Sequence, residues 1–103
     1  MAMLETHVPG AVERVGALLE MHLSKHASWE LGAVERESGH IEAYVLVGFG
    51  RSPAHLHFDL NSAAEGKTRV CVSVKTKSRF STQKGCLALA QTALDEVCAK
   101  SQP

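Results

Sequence analysis

Four stretches of the chain carry the residue patterns of β-strands. They comprise residues 29–37, 40–50, 54–61 and 67–77. In the last three, apolar and polar residues alternate with the period of two that is typical of a half-buried strand. Short connections at Ser38-Gly39 and at residues 62–66 indicate hairpins, because glycine accepts a positive φ at no steric cost. The pattern leaves the register of the first stretch open.

Two amphipathic helices are predicted to flank these strands. The first covers residues 8–26, and its apolar residues recur at steps of three and four: Val8, Val12, Val15, Leu19 and Leu23. Thr6 is its expected N-cap, and Pro9 suits its first turn. The second helix follows a cap at Ser81 or Thr82, and its apolar stripe is Cys86, Leu87, Ala90, Ala93, Leu94 and Val97.

The order of these elements, α-β-β-β-β-α, predicts an α+β fold. Short connections favour an antiparallel four-stranded meander that carries both helices on one face. The chain has 103 residues, of which 45% are hydrophobic, and this supports one modest core. We therefore expect a single domain over residues 1–103, with flexible ends at 1–6 and 101–103.

Charge and cysteine content narrow the function classes. Eleven basic residues balance eleven acidic ones, so no overall field attracts nucleic acid or an anionic membrane. The longest apolar run, 43–47, is too short to span a bilayer, and the N-terminus lacks the pattern of a secretion signal. Three cysteines without close pairing predict reduced thiols. Together these features predict a soluble cytoplasmic protein that needs no cofactor.

The chain, mainly in its second half, resembles the helix-grip, or START-like, superfamily. The relevant segments are the opening helix VPGAVERVGALLE, the strand pair HLHFDLNSAAEGKTRVCVSV and the long terminal helix. Gly66, Thr68 and Val70 stand where that family has a G-x-T-x-V turn into a valine-rich strand. The resemblance implies a curved sheet clasped by the C-terminal helix. Because the family includes binders, cyclases and transport proteins, it implies no particular catalytic residue.

An apolar pocket between the sheet and the C-terminal helix is our first functional hypothesis. Its predicted lining is Val45, Val47, Leu56, Phe58, Val72 and Leu94. His22 and His26 lie one turn apart on the first helix, and either can anchor a ligand at the pocket mouth. The alternative, which we favour for these two residues, is a pair of partly buried histidines near a helix C-terminus. The first interpretation describes a small non-enzymatic module that binds a small apolar ligand.

A row of basic residues on the fourth strand supports a second hypothesis, an interaction protein with an acidic partner. Its candidate anion-binding residues are Arg69, Lys75, Lys77 and Arg79. No aromatic residue shares their face on the third or fourth strand, which argues against nucleic acid. We favour a simpler interpretation, in which these side chains protect an edge strand from pairing with another sheet.

The opposite face of the sheet is predicted to offer an apolar patch for a homodimer. Tyr44 and Leu46 lie on this face, and Trp29 and Leu31 join them if the first hairpin has a two-residue loop. A bulge at Ser38-Gly39 would instead turn Trp29 and Leu31 toward the core.

The segment HLHFD places His55, His57 and Asp59 on one face of the third strand. In the expected pairing, His57 lies near Cys71 and Asp59 near Arg69. His55, His57 and Cys71 are then candidate zinc ligands, and the basic surroundings could make the Cys71 thiol reactive. The alternative, which we favour, is a solvated polar face without a metal.

Overall fold

The fold combines an antiparallel sheet with two helices, and a computed structural model describes residues 3–45, 54–75 and 83–101. The elements are β1 (Met3–Pro9), α1 (Val12–Lys25), β2 (Trp29–Glu35), β3 (His40–Val45), β4 (Ala54–Ser62), a 3-10 turn (Ala64–Gly66), β5 (Lys67–Val74) and α2 (Gln83–Ser101). In the described residues, the sheet has five strands in the order β1-β5-β4-β3-β2. No helix in those residues is both long and apolar enough to cross a membrane.

The first strand was not predicted, so the predicted count of four strands is wrong. β1 pairs with β5, with Thr6 opposite Val70. Residues 3–6, expected at a flexible end, therefore belong to the sheet. Val8 continues the helical spacing of apolar residues, but the chain turns at Gly10, which has a φ of 118°, and α1 begins only at Val12.

β5 lies inside the sheet, between β1 and β4. The interpretation of its basic residues as edge protection is therefore wrong, and the edge strands among the described residues are β1 and β2. Its inner side chains alternate as the sequence predicts, and the buried ones are Thr68, Val70, Val72 and Val74. The polar side chains between them lie on the face of the sheet that points away from the helices, which we call the outer face.

The core fills the space between the inner face of the sheet and both helices, as the sequence predicts. β4 alternates regularly, with Ala54, Leu56, Phe58 and Leu60 buried. The helices contribute their predicted stripes, in which the buried residues are Val15, Leu19, Leu23, Cys86, Ala90, Ala93, Leu94 and Val97. Burial of these apolar side chains is the main stabilising contribution to the fold.

β2 turns its tryptophan toward the core. Trp29 is opposite Val45, is 8% exposed, and its ring centroid is 6.0 Å from that of Phe58. Leu31 packs against the same core. The strand pair shifts register between Leu31 and Val34, not at Ser38-Gly39. The predicted outer patch therefore lacks Trp29 and Leu31, and Leu46 lies outside the described residues.

Candidate functional site

The side chains predicted to line a pocket between sheet and α2 form the centre of the core. Val45, Leu56, Phe58 and Val72 are 0% exposed, and Leu94 is 1% exposed. These five side chains are therefore closed to solvent and packed inside the core. The sixth predicted lining residue, Val47, lies outside the described residues.

The two predicted anchor histidines lie where α1 meets α2. His22 Nδ1 is 3.2 Å from Glu96 Oε2 of α2, and its side chain is nearly buried. Its ring centroid is 5.3 Å from that of His26, which is exposed and accepts a hydrogen bond from the Ser28 amide. Burial lowers the pKa of His22 below its ordinary value of 6.5, and the carboxylate of Glu96 opposes this effect. The charges of His26 and Lys100 lower the pKa further.

The His22 shift makes stability depend on pH. Because the folded chain binds a proton at His22 less readily than the unfolded chain does, we expect stability to fall as the pH decreases below about 6.5. The slope from one such group is at most about 1.4 kcal/mol per pH unit. Urea unfolding between pH 7.5 and 5.5 measures it, and His22→Gln should reduce the slope. His7→Gln, at an exposed position of β1, should leave it unchanged, and equal slopes in all three proteins would contradict the assignment.

A groove of about 320 Å³ lies between α1 and the β2–β3 hairpin, and we call it the α1 groove. Its apolar lining consists of Val12, Ala17, Val34, Ile41 and Leu60. Gly16 opens its helical wall, since a Cβ there would point toward Leu60 at 3.7 Å from Cδ2. The sequence did not predict this groove, because the groove depends on a register shift in β2. That shift, which the sequence left open, places Val34 on the wall of the groove.

Charged side chains surround the α1 groove. They are Glu13, Glu20, Glu35, Arg36 and Glu37, which together carry four carboxylates and one guanidinium. Arg36 pairs with Glu20 at 3.3 Å across the groove, from the hairpin to α1. The remaining negative charge favours a cationic group at the rim.

On the outer face, three side chains of β3 and β4 form a hydrogen-bonded chain. His40 is opposite Asp59 in the strand pair, and its Nδ1 lies 2.7 Å from Asp59 Oδ1. The Nε2 of His40 lies 3.1 Å from Nδ1 of His57. The carboxylate can only accept, so His40 donates from Nδ1 and presents Nε2 to His57.

Glu42 lies beside this chain and within ion-pair distance of two histidines of β4. Its Oε1 lies 2.9 Å from Nε2 of His55 and 3.4 Å from Nε2 of His57. Tyr44 stacks on His55, with ring centroids 4.6 Å apart. Burial lowers the pKa of His57, the charges of His55, His40 and Lys75 add to this effect, and Glu42 opposes it. The alternation along β3 puts His40 and Glu42 on the same face as Tyr44, but no sequence motif marks them as functional.

The pairing of β4 with β5 differs by two residues from the expected one. His57 is opposite Ser73, and Asp59 is opposite Cys71. Because a shift of two residues keeps every side chain on its face, the predicted faces are correct and the predicted neighbours are wrong. His55 and His57 therefore meet residues of β3 rather than Cys71.

Arg69 and Cys71 face β1 on the outer face. Arg69 is opposite Asn61 rather than Asp59, and its Nε lies 3.4 Å from Glu5 Oε1. Cys71 Sγ lies 4.0 Å from the same oxygen, so a carboxylate adjoins the thiol. Lys75 is exposed at the end of β5. The other two predicted anion-binding residues, Lys77 and Arg79, lie outside the described residues.

Comparison with solved structures shows that the chain has the helix-grip, START-like fold. The structure of Ara h 8.0201 aligns with 97% of this chain and with 95% of its own length, with a TM-score of 0.65 and 10% sequence identity. A START superfamily protein from Mycobacterium smegmatis matches 98% of each chain, with a TM-score of 0.62 and 10% identity. A protein from Thermus thermophilus matches 98% of this chain and 99% of its own, with a TM-score of 0.53 and 14% identity.

Sequence comparison adds no relative. No protein-family model matches the chain, and no curated protein matches its sequence. The structural likeness therefore defines the fold, and the site has to be argued from the residues of this chain.

Proposed function

We propose that the chain is a small-molecule-binding module whose ligand binds in the α1 groove. The observation that carries this proposal is an open volume of about 320 Å³ with an apolar wall on a helix-grip fold. This volume is at the lower end of the range of about 300–1,000 Å³ that small-molecule sites occupy. The sheet and α2 pack closely around Phe58, so the α1 groove needs less rearrangement than a site beneath α2.

The lining specifies the chemistry of the ligand. Val34 offers aliphatic surface to an apolar body, beside the nearly buried side chains of Ile41 and Leu60. Glu13 and Glu37 at the rim favour a positively charged group. The ligand is therefore a compact apolar molecule that carries an amine.

A matched pair of probes tests the charge preference. 2-Naphthylmethylamine and 2-naphthoic acid share an apolar body and carry opposite charges at neutral pH. We expect the amine to bind about tenfold more tightly than the acid, a difference of about 1.4 kcal/mol. Amide chemical shifts in a protein NMR titration should change along α1 and the β2–β3 hairpin. Equal affinities, or shifts confined to other elements, would contradict the proposal.

A substitution in the groove wall tests the location. Gly16→Leu fills the groove beside Leu60, and we expect it to weaken binding of the amine probe by about tenfold or more. The control is Ala88→Leu, which adds a similar side chain at an exposed position of α2 and should leave the affinity unchanged. If Gly16→Leu folds and binds the probe as tightly as the parent, the ligand occupies a different site.

The alternative interaction protein receives less support. Arg69 already pairs with Glu5, which reduces the positive charge that β5 offers to an acidic partner. Trp29 and Leu31 pack against the core, so the outer apolar patch that a homodimer would cover is smaller than expected. For these reasons we place ligand binding first.

A further inference from the structure

We propose that the outer face of the sheet binds a divalent transition-metal ion such as Zn²⁺ through His40, Glu42 and His57. Each side chain offers one ligand atom, and the three atoms lie within 4.8 Å of one another. Two imidazoles and one carboxylate suit Zn²⁺ and its first-row neighbours, whereas Mg²⁺ and Ca²⁺ prefer oxygen ligands alone. The site lies across the sheet from the α1 groove and is independent of it.

Spacing and access fit such an ion. Two nitrogens bound to one tetrahedral Zn²⁺ are about 3.3 Å apart, and His40 Nε2 lies 3.1 Å from His57 Nδ1. The Glu42 carboxylate ends a flexible side chain that can close the remaining distance. The three side chains are each 20–25% exposed, so an ion can reach them from solvent. Three protein ligands leave a fourth position for water.

Asp59 supports the site from behind His40. Its Oδ1 accepts a hydrogen bond from His40 Nδ1 at 2.7 Å, which fixes the ring and leaves Nε2 free to coordinate. Metal-binding histidines commonly have a carboxylate in this position, where it orients the ring and raises its basicity. Asp59 is thus a positioning residue rather than a ligand.

The contacts at Glu42 also favour a cation. If His57 donates from Nδ1 to His40 and is neutral, its Nε2 carries a lone pair, 3.4 Å from the carboxylate oxygen of Glu42. Two acceptors then face each other. His55 Nε2 is 2.9 Å from the same oxygen, yet its geometry makes no hydrogen bond and the atom is buried. A metal ion on Nδ1 of His57 would move the ring proton to Nε2, where it can donate to Glu42, and an additional proton on His57 is the competing explanation.

Titration of the metal-free chain with Zn²⁺ tests the site. Calorimetry, with Mg²⁺ as the comparison ion, should show one Zn²⁺ per chain and no Mg²⁺ binding. Glu42→Gln and His57→Gln should abolish this binding or weaken it by at least about 100-fold, and Asp59→Asn should weaken it by about 10–100-fold. His7→Gln removes an exposed histidine from β1 and should leave the affinity unchanged. Circular dichroism establishes that each variant is folded.

The same titration distinguishes a site that binds a metal ion from a side-chain network that is held by protons. If folded Glu42→Gln and Asp59→Asn bind Zn²⁺ as tightly as the parent, or if the parent binds no Zn²⁺, the proposal is wrong and the network is held by protons alone. Imidazole ¹⁵N shifts provide a second measurement that does not depend on variants. Zn²⁺ should shift the nitrogens of His40 and His57 and leave those of His7 unchanged, and equal shifts at all three would overturn the assignment.

Discussion

Phe58→Ala is expected to lower the free energy of unfolding by about 3–5 kcal/mol. Phe58 is the largest fully buried side chain among the described residues, and it lies on β4, the central strand of the sheet. It faces Ile41 on β3 and Val72 on β5, and the ring of Trp29 packs 6.0 Å away. Truncation removes apolar burial and leaves a cavity that these neighbours cannot close without moving their strands.

Urea denaturation monitored by circular dichroism measures this loss. Tyr44→Ala is the matched control, since Tyr44 is an aromatic residue on the neighbouring strand that faces outward and is only partly buried. We expect it to cost much less than Phe58→Ala. A loss below about 1 kcal/mol for Phe58→Ala would mean that Phe58 is not closely packed and that space already lies beside it. That result would restore the predicted pocket between sheet and α2 as a ligand site.

The sequence predicted which face of the sheet each side chain lies on more securely than which residue lies opposite it on the next strand. The alternation in β4 identified Leu56 and Phe58 as core residues, because burial on one face imposes a period of two. The partner of each residue depends on the turn between β4 and β5, where Glu65 adopts a positive φ of 62° and Ser62 pairs with Thr68. Residue types at 62–66 do not determine that geometry.

β1 was missed because its partner is distant in the sequence. Leu4, Thr6 and Val8 do alternate with polar residues, but their partners on β5 lie 60 to 68 residues later in the chain. A local pattern cannot show such a pairing. The helical spacing from Val8 to Val12 was the stronger local signal, although Pro9 followed by a glycine indicates a break between them.

The candidate metal site was missed for a similar reason, because strand pairing brings its residues together. The segment HLHFD correctly suggested that His57 and Asp59 share a face, but the partners were sought on β5. The structure supplies them from β3, where His40 and Glu42 lie opposite Asp59 and His57. Pairing the polar faces of β3 and β4 across their connection is the sequence signal that could have brought these four residues together.

Gly39→Ala is expected to lower the free energy of unfolding by about 3 kcal/mol. Gly39 has a φ of 70°, which an L-residue with a Cβ adopts at a cost of about 1–2 kcal/mol. A Cβ there would also overlap the carbonyl oxygen of Leu60 and lie 3.3 Å from its carbon. The overlapping group is backbone, so the hairpin would have to move away from β4. That movement would stretch the hydrogen bond from the Leu60 amide to the Gly39 carbonyl, now 2.8 Å long.

Gly66→Ala separates the conformational cost of a positive φ from the cost of the steric overlap. Gly66 has nearly the same φ, 71°, and a Cβ built there meets no atom within 4 Å. Urea denaturation of Gly66→Ala should therefore show only the conformational cost, about 1 kcal/mol. Equal losses of unfolding free energy at the two positions would mean that the hairpin moves away from Leu60 at no cost. The hairpin would then not need to lie close to β4. Since Gly39 also lines the α1 groove, a larger loss at Gly39 would show that this close contact fixes the end of the proposed ligand site.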